Sequence, residues 1–150
     1  MVIPVSNKTA RRIFFFFSGL SASPSQALAK PDLLQLIDEI GFVQIDSISN
    51  VERAHNQILF SRNQTFRKEH LRQLLEEDRA LFEHWTHDAA ILPSTFYPYW
   101  KHKFRRSEEP MRKRWAKWHG ADFDKAFDET YQRIAENGPV MARDVTDAAH

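Results

Sequence analysis

The 150-residue sequence contains no cysteine. That excludes a disulfide framework and any thiolate metal site, and it suits a reducing cytoplasm, the compartment expected here. Glycine is scarce: four residues, scattered, with no glycine-rich phosphate loop. No Ser/His/Asp arrangement stands out. A large excess of one charge is also missing. The net charge is +1, so any affinity for nucleic acid has to come from local patches. The apolar run Ile13–Phe17 is too short to span a bilayer. With Lys8, Arg11 and Arg12 before it and Ser21-Ala22-Ser23 after it, the run imitates a signal peptide. It is broken by Ser18 and Gly19, however, and no secreted signature follows.

What is present is the composition of a soluble globular protein, 42% hydrophobic and 27% charged, long enough for one ordinary domain with a real core. The pattern predicts a mainly α fold with short strands. A first helix runs from about Lys8 to Ser18, capped by Ser6 or Thr9 and stopped by Gly19. Phe14–Phe17 cover every face of it, since successive residues point about 100° apart. At least one ring then stays exposed or is covered by an absent neighbour; the alternative is a crowded core. Residues 20–29 form a linker. Pro31 opens a second helix with Leu33, Leu36, Ile37 and Ile40 inward, and Gly41 ends it. A third, capped by Ser49 or Asn50, spans Val51 to about Ser61. Its buried stripe is Ala54, Ile58 and Leu59, which leaves Arg53, His55, Asn56 and Arg62 on its outer side. In a helix-turn-helix this third helix would lie in a groove. Arg67–Glu77 is a further helix with Leu71, Leu74 and Leu75 inward. Ala80–Thr86 alternates and reads as a short strand or wing. Helices then follow at about Phe96–Arg106, Pro110–His119 and Asp122–Glu136, before an Asn137-Gly138-Pro139 stop.

The segment Gly41–Ile48 lies between helices and is expected to pair with the Ala80–Thr86 strand. As a strand it turns Val43 and Ile45 to the core and Gln44 and Asp46 to the opposite face, roughly 6.5–7 Å apart along the chain. An ionised Asp46 can accept a proton from water or face a developing cation, and the Gln44 amide can orient that water. An edge strand with a solvated face gives the same alternation.

Lys101, Lys103, Arg105, Arg106, Arg112, Lys113, Arg114 and Lys117 form a basic run, interleaved with Trp100, Phe104, Trp115 and Trp118. Such cations neutralise phosphates, and the aromatics stack on bases or pack inward. The alternative is a solvated helical face over a Trp-rich core. Glu83, His84, His87 and Asp88 hold donor types suited to zinc. Yet His84 and His87 fall on opposite faces of a strand, and no metal site is expected.

The segment Phe42–Arg62, with Gln44-Ile45-Asp46, then Arg53, then Leu59-Phe60-Ser61-Arg62, resembles the tandem winged-helix DNA glycosylases that repair alkylation and crosslinking damage, the AlkZ-like and YcaQ-like proteins. Glu83-His84-Trp85-Thr86-His87-Asp88-Ala89 and Leu92-Pro93 match further motifs in the family's order. The likeness covers roughly residues 8–145. Phe14–Phe17 depart from it, since the family has smaller residues there.

The resemblance implies a winged helix over residues 1–92, a basic helical connection over 93–121, and the truncated start of a second winged helix over 122–150. Met141–Val145 opens that last element, and the chain is then an N-terminal piece. The implied activity is hydrolysis of the glycosidic bond of alkylated bases, with Gln44 and Asp46 catalytic and His87 beside the cleft. Double-stranded DNA is the expected partner. No cofactor, membrane or obligate protein partner is expected. The competing reading is a winged-helix regulator without catalysis.

Overall fold

The computed structural model describes residues 3–49, 51–120, 123–138 and 140. The chain divides into two units, Met1–Pro98 and Tyr99–His150.

In the first unit, α1 (Asn7–Phe17) starts where Ser6 Oγ accepts from the Thr9 amide at 3.2 Å. No residue of α1 is buried, and Phe14–Phe17 are 47–67% exposed. All four rings therefore lie open; no crowded core forms around them. The helix is tied down at its C-terminal end, where Arg62 Nε donates to the Ser18 carbonyl at 2.8 Å. In α2 (Lys30–Ile40) Asp32 accepts from the Ala29 amide at 3.0 Å, a cap at the positive end of the helix dipole. Leu33 and Ile37 are fully buried, and Gly41 ends the helix at φ 83°.

After β1 (Val43–Gln44) comes α3 (Ala54–Arg62), which starts later than Val51. Arg53 is its N-cap, in extended conformation. The Glu52 carboxylate accepts from the Arg53 amide at 2.8 Å and from Asn56 Nδ2 at 3.1 Å, so this side chain holds the helix start. Of the caps expected from sequence, Asn50 lies outside the described residues. The same contact corrects the expected helix face: Asn56 is buried at 8% exposure beside Leu59, while Ala54 and Ile58 are only half-buried.

Next, α4 (Lys68–Arg72) widens into a π-turn over Gln73–Glu77, closed by the Asp78 amide on the Gln73 carbonyl at 2.8 Å. Leu71 and Leu74 are buried. A hairpin follows, β2 (Leu81–Trp85) and β3 (Ala89–Pro93), and the antiparallel sheet has the order β1-β3-β2. The segment at Gly41–Ile48 thus pairs with β3, not with the Ala80–Thr86 strand. Its physical reason is in β3 itself. Ala90, Ile91, Leu92 and Pro93 are all buried, the unalternating pattern of a central strand covered on both faces. Leu33, Ile37, Val43, Leu59, Phe66, Leu71, Leu74, Leu81 and Ile91 form one core, each contributing about 1.5–3 kcal/mol when fully buried. The order α2-β1-α3-α4-β2-β3 is compatible with a winged helix.

A 3-10 turn, Ser94–Phe96, leads into α5 (Tyr97–His119), and α6 (Phe123–Asn137) belongs to the second unit. The break expected before Pro110 is absent; α5 runs through it. Proline removes one helical hydrogen bond there. Arg, Glu and Lys around it are strong helix formers, and Lys113 Nζ reaches Glu109 at 2.6 Å across the gap. Gly138 closes α6 at φ 81°, and the expected turn at Pro139 and element at Met141–Val145 lie outside the described residues. Among the described residues, no helix is long and apolar enough to cross a membrane.

Candidate active site

Val43 is 1% exposed and Ile45 packs against the same core, whereas Gln44 and Asp46 are half-buried on the other face of the segment. Val43 pairs with Ile91 and Gln44 with Ala90. The Ile45 amide donates to the Ala89 carbonyl at 2.8 Å, so pairing continues past the end of β1. Counting on in the same register, Asp46 falls across from Asp88.

Hydrogen bonds fix these groups unequally. Gln44 Nε2 donates to Asp88 Oδ2 at 3.3 Å. Asp88 Oδ1 accepts from its neighbour's amide, Ala89 N, at 2.8 Å. Thr86 N donates to the Asp88 carbonyl at 2.8 Å and closes the β2–β3 turn. Asp46 Oδ1 accepts from the Ile48 amide at 2.9 Å, and Oδ2 has no hydrogen-bond partner among the described residues. The surface therefore presents one uncommitted carboxylate oxygen next to an amide held by a second carboxylate. Sequence reasoning passed over Asp88 as part of this group; its place beside His87 in the motif was the available signal. His87 is exposed in the turn, edge-on to Phe42 at 5.8 Å between ring centres. Its Nδ1 lies 3.3 Å from Thr86 Oγ1. Among the described residues no group of three or more His, Asp or Glu side chains is placed to hold a metal ion.

The candidate DNA contacts of α3 differ in what they can offer. Arg53 is exposed. His55 is half-buried, with Nδ1 shielded from water and unpaired; burial, then the Arg53 charge, holds its pKa below the usual 6.5. Asn56 faces inward, as above. The Arg62 guanidinium is half-buried on the Ser18 and Ile58 carbonyls, both at 2.8 Å, and burial lowers its pKa without discharging it. In a helix-turn-helix pair the second helix enters the groove. Read as such a pair, α3–α4 would put α4, the helix before the hairpin, in that place. Its cations are engaged with acids: Lys68 with Glu52, and Arg72 with Glu76 at 3.2 Å and Glu77 at 3.0 Å.

On α5, Lys103, Arg106, Lys113 and Lys117 fall within about 80° of arc at 100° per residue. Arg112 stands on another side, bonded to Asp124 at 3.5 Å and Asp128 at 3.3 Å and lying over the Phe127 ring at 4.3 Å. It joins α5 to α6. Arg105, Arg106, Arg114 and Lys117 have no carboxylate partner among the described residues and are exposed, as is Lys101. Trp115 stacks on His119 at 5.0 Å and faces Phe123 at 6.2 Å, whereas Trp118 is 67% exposed.

The protein-family model described as DNA glycosylase AlkZ-like matches residues 37–150. The match takes in Gln44, Asp46, the β2–β3 hairpin and all of α5. No solved structure matches the chain.

Proposed function

The chain belongs to the AlkZ-like DNA glycosylase family, and on that premise we propose that it hydrolyses the N-glycosidic bond of N7-alkylguanine-type bases in double-stranded DNA, crosslinked ones included. The single observation that carries the mechanism is the placing of Gln44 and Asp46 on one solvent-reachable face, with Asp46 Oδ2 uncommitted.

Alkylation of a purine ring nitrogen makes the base cationic and a good leaving group. As the bond to the sugar breaks, the sugar gains oxocarbenium character, which a nearby carboxylate stabilises. Asp46 takes this role and accepts a proton from the attacking water. Gln44 holds that water. The products are a free base and an abasic site. Cleavage of the strand itself calls for an amine nucleophile, and no lysine lies in this group. Lys103, Arg106 and Lys117, with Arg114 beside them, supply phosphate contacts. A base tethered to the opposite strand cannot enter a closed pocket, so an open basic surface suits it better than base flipping into a cavity. The proposal includes the architecture of the family, a first winged helix over 1–92 followed by the start of a second, and action in the cytoplasm.

A regulator without catalysis needs several free base-reading side chains on its groove helix. The acid-paired cations of α4 favour the enzyme over that reading. The test is release of N7-methylguanine from alkylated duplex DNA, and unhooking of a crosslinked oligonucleotide, under single turnover. Free base with an intact abasic strand is expected. Tight DNA binding with no base released at stoichiometric protein overturns the enzymatic reading in favour of the regulator.

A further inference from the structure

We infer that Asp88 is a positioning residue for the proposed reaction: it fixes which end of the Gln44 amide faces the attacking water. The inference rests on the Gln44–Asp46 reading above. A glutamine amide is ambiguous, since one end donates and the other accepts. An ionised carboxylate only accepts. The bond from Gln44 Nε2 to Asp88 Oδ2 at 3.3 Å therefore commits the amino end to Asp88 and turns Oε1 away from it. Oε1 is then the acceptor left for a water proton, and the water's lone pair is directed at the sugar.

Asp88 is itself held firmly. Its Oδ1 accepts from the Ala89 amide at 2.8 Å, and its carbonyl accepts from Thr86 N at 2.8 Å and Thr86 Oγ1 at 3.2 Å. One residue on, the Ala89 carbonyl accepts from Ile45 N. The β2–β3 turn and β1 are thereby joined as one rigid piece, and the amide has a fixed reference. Such anchoring matters because small misplacements of a reacting group cost up to ~10²-fold in rate.

The experiment is a double-mutant cycle on the protein as expressed from its full reading frame. Asp88→Asn keeps the shape and, with its oxygen on Ala89 N, turns an amino group to Gln44; that group only donates, so it selects the Oε1 end and reverses the amide. Single-turnover release of N7-methylguanine, DNA affinity and melting temperature are measured for Asp88→Asn, Gln44→Ala and the double variant. The expected result is a drop of ~10–10²-fold for Asp88→Asn, with affinity and melting unchanged and no further drop in the Gln44→Ala background. A drop that persists undiminished in the Gln44→Ala background overturns the inference, because Asp88 then acts on its own. A wild-type rate for Asp88→Asn overturns it as well. If Gln44→Ala itself works at the wild-type rate, the site reading fails, and this result is separate from the other two. An independent readout is the Gln44 side-chain amide in nitrogen–proton NMR spectra. Its signals should shift in Asp88→Asn, and signals insensitive to that substitution overturn the contact.

Discussion

The Ile45 amide donates to the Ala89 carbonyl at 2.8 Å, one residue beyond the end of β1. That bond keeps the chain extended into Asp46, so the alternation that sends Val43 and Ile45 inward leaves Gln44 and Asp46 together outside. From this follows the first prediction. Asp46→Asn keeps the size of the side chain and the acceptor for the Ile48 amide, and removes the charge. DNA affinity should hold while single-turnover base release falls by ~10²–10⁴-fold, the range for losing a positioned acid or base. Release of N7-methylguanine at the wild-type rate would remove Asp46 from the mechanism.

The cations of α5 divide by partner, and the division is measurable. Arg106 and Lys117 are exposed and unpaired among the described residues, whereas Arg112 is bonded to Asp124 and Asp128. Each phosphate neutralised contributes ~0.9 to the slope of log affinity against log salt. Replacing Arg106 and Lys117 together by Gln should flatten that slope by ~1–2 on any duplex sequence. Arg112→Gln should leave the slope alone and loosen the α5–α6 pairing, seen as faster amide exchange in α6. The reverse pattern would move the phosphate contacts to the Arg112 side of the helix.

How far the sequence was legible depends on how local each cause is. Ser6, Pro31, Gly41 and the stripe Leu33–Ile37 act within one or two turns, and the helices they set lie close to where they were read. The β3 strand was missed because Ala89-Ala90-Ile91-Leu92-Pro93 does not alternate, and only its central position in the sheet explains that. Asn56 was placed outside because the periodicity of α3 does not show the Glu52 carboxylate drawing its amide inward. Gln44 and Asp46 were legible through the motif they belong to. Their neighbour Asp88 lies 44 residues from Gln44 in sequence, and the β1–β3 register alone brings it near.

Acid stability offers a test of the α3 start. Glu52 is bonded to Lys68, the Arg53 amide and Asn56, which lower its pKa from 4.5 to about 2. The folded state therefore favours the ionised form. Its contribution is fully present above pH 4.5 and is lost as pH falls towards 2. His55 is also held below its usual 6.5, chiefly by burial, so folding favours its neutral form. That contribution is present above pH 6.5 and declines as the pH drops below it. Urea midpoints should thus fall in two stages on acidification. Glu52→Gln should flatten the lower stage and His55→Gln the upper one. A Glu52→Gln profile superimposable on wild type would rule out this staple.

The last prediction concerns Arg62, which the sequence offered as a DNA contact and which the fold places against backbone. Its Nε donates to the Ser18 carbonyl and Nη1 to the Ile58 carbonyl, both at 2.8 Å. Next to Ser18 stands Gly19, at φ 68°, where a Cβ would lie 2.6 Å from Leu36 Cδ1. Chain reversal after α1 thus depends on a residue with no side chain, closed over by a guanidinium. Hydrogen bonds to a charged group are worth about 1.5–3 kcal/mol, and a left-handed backbone costs a non-glycine residue about 1–2 kcal/mol before any clash. Arg62→Gln and Gly19→Ala should each lower unfolding stability by about 1–3 kcal/mol. Both should also make the α1 segment more open to proteolysis, since little else holds that helix. Arg62→Gln should leave the salt slope of DNA binding unchanged. A slope flattened by ~0.9 with stability intact would return Arg62 to the DNA surface and leave α1 to be held by something else.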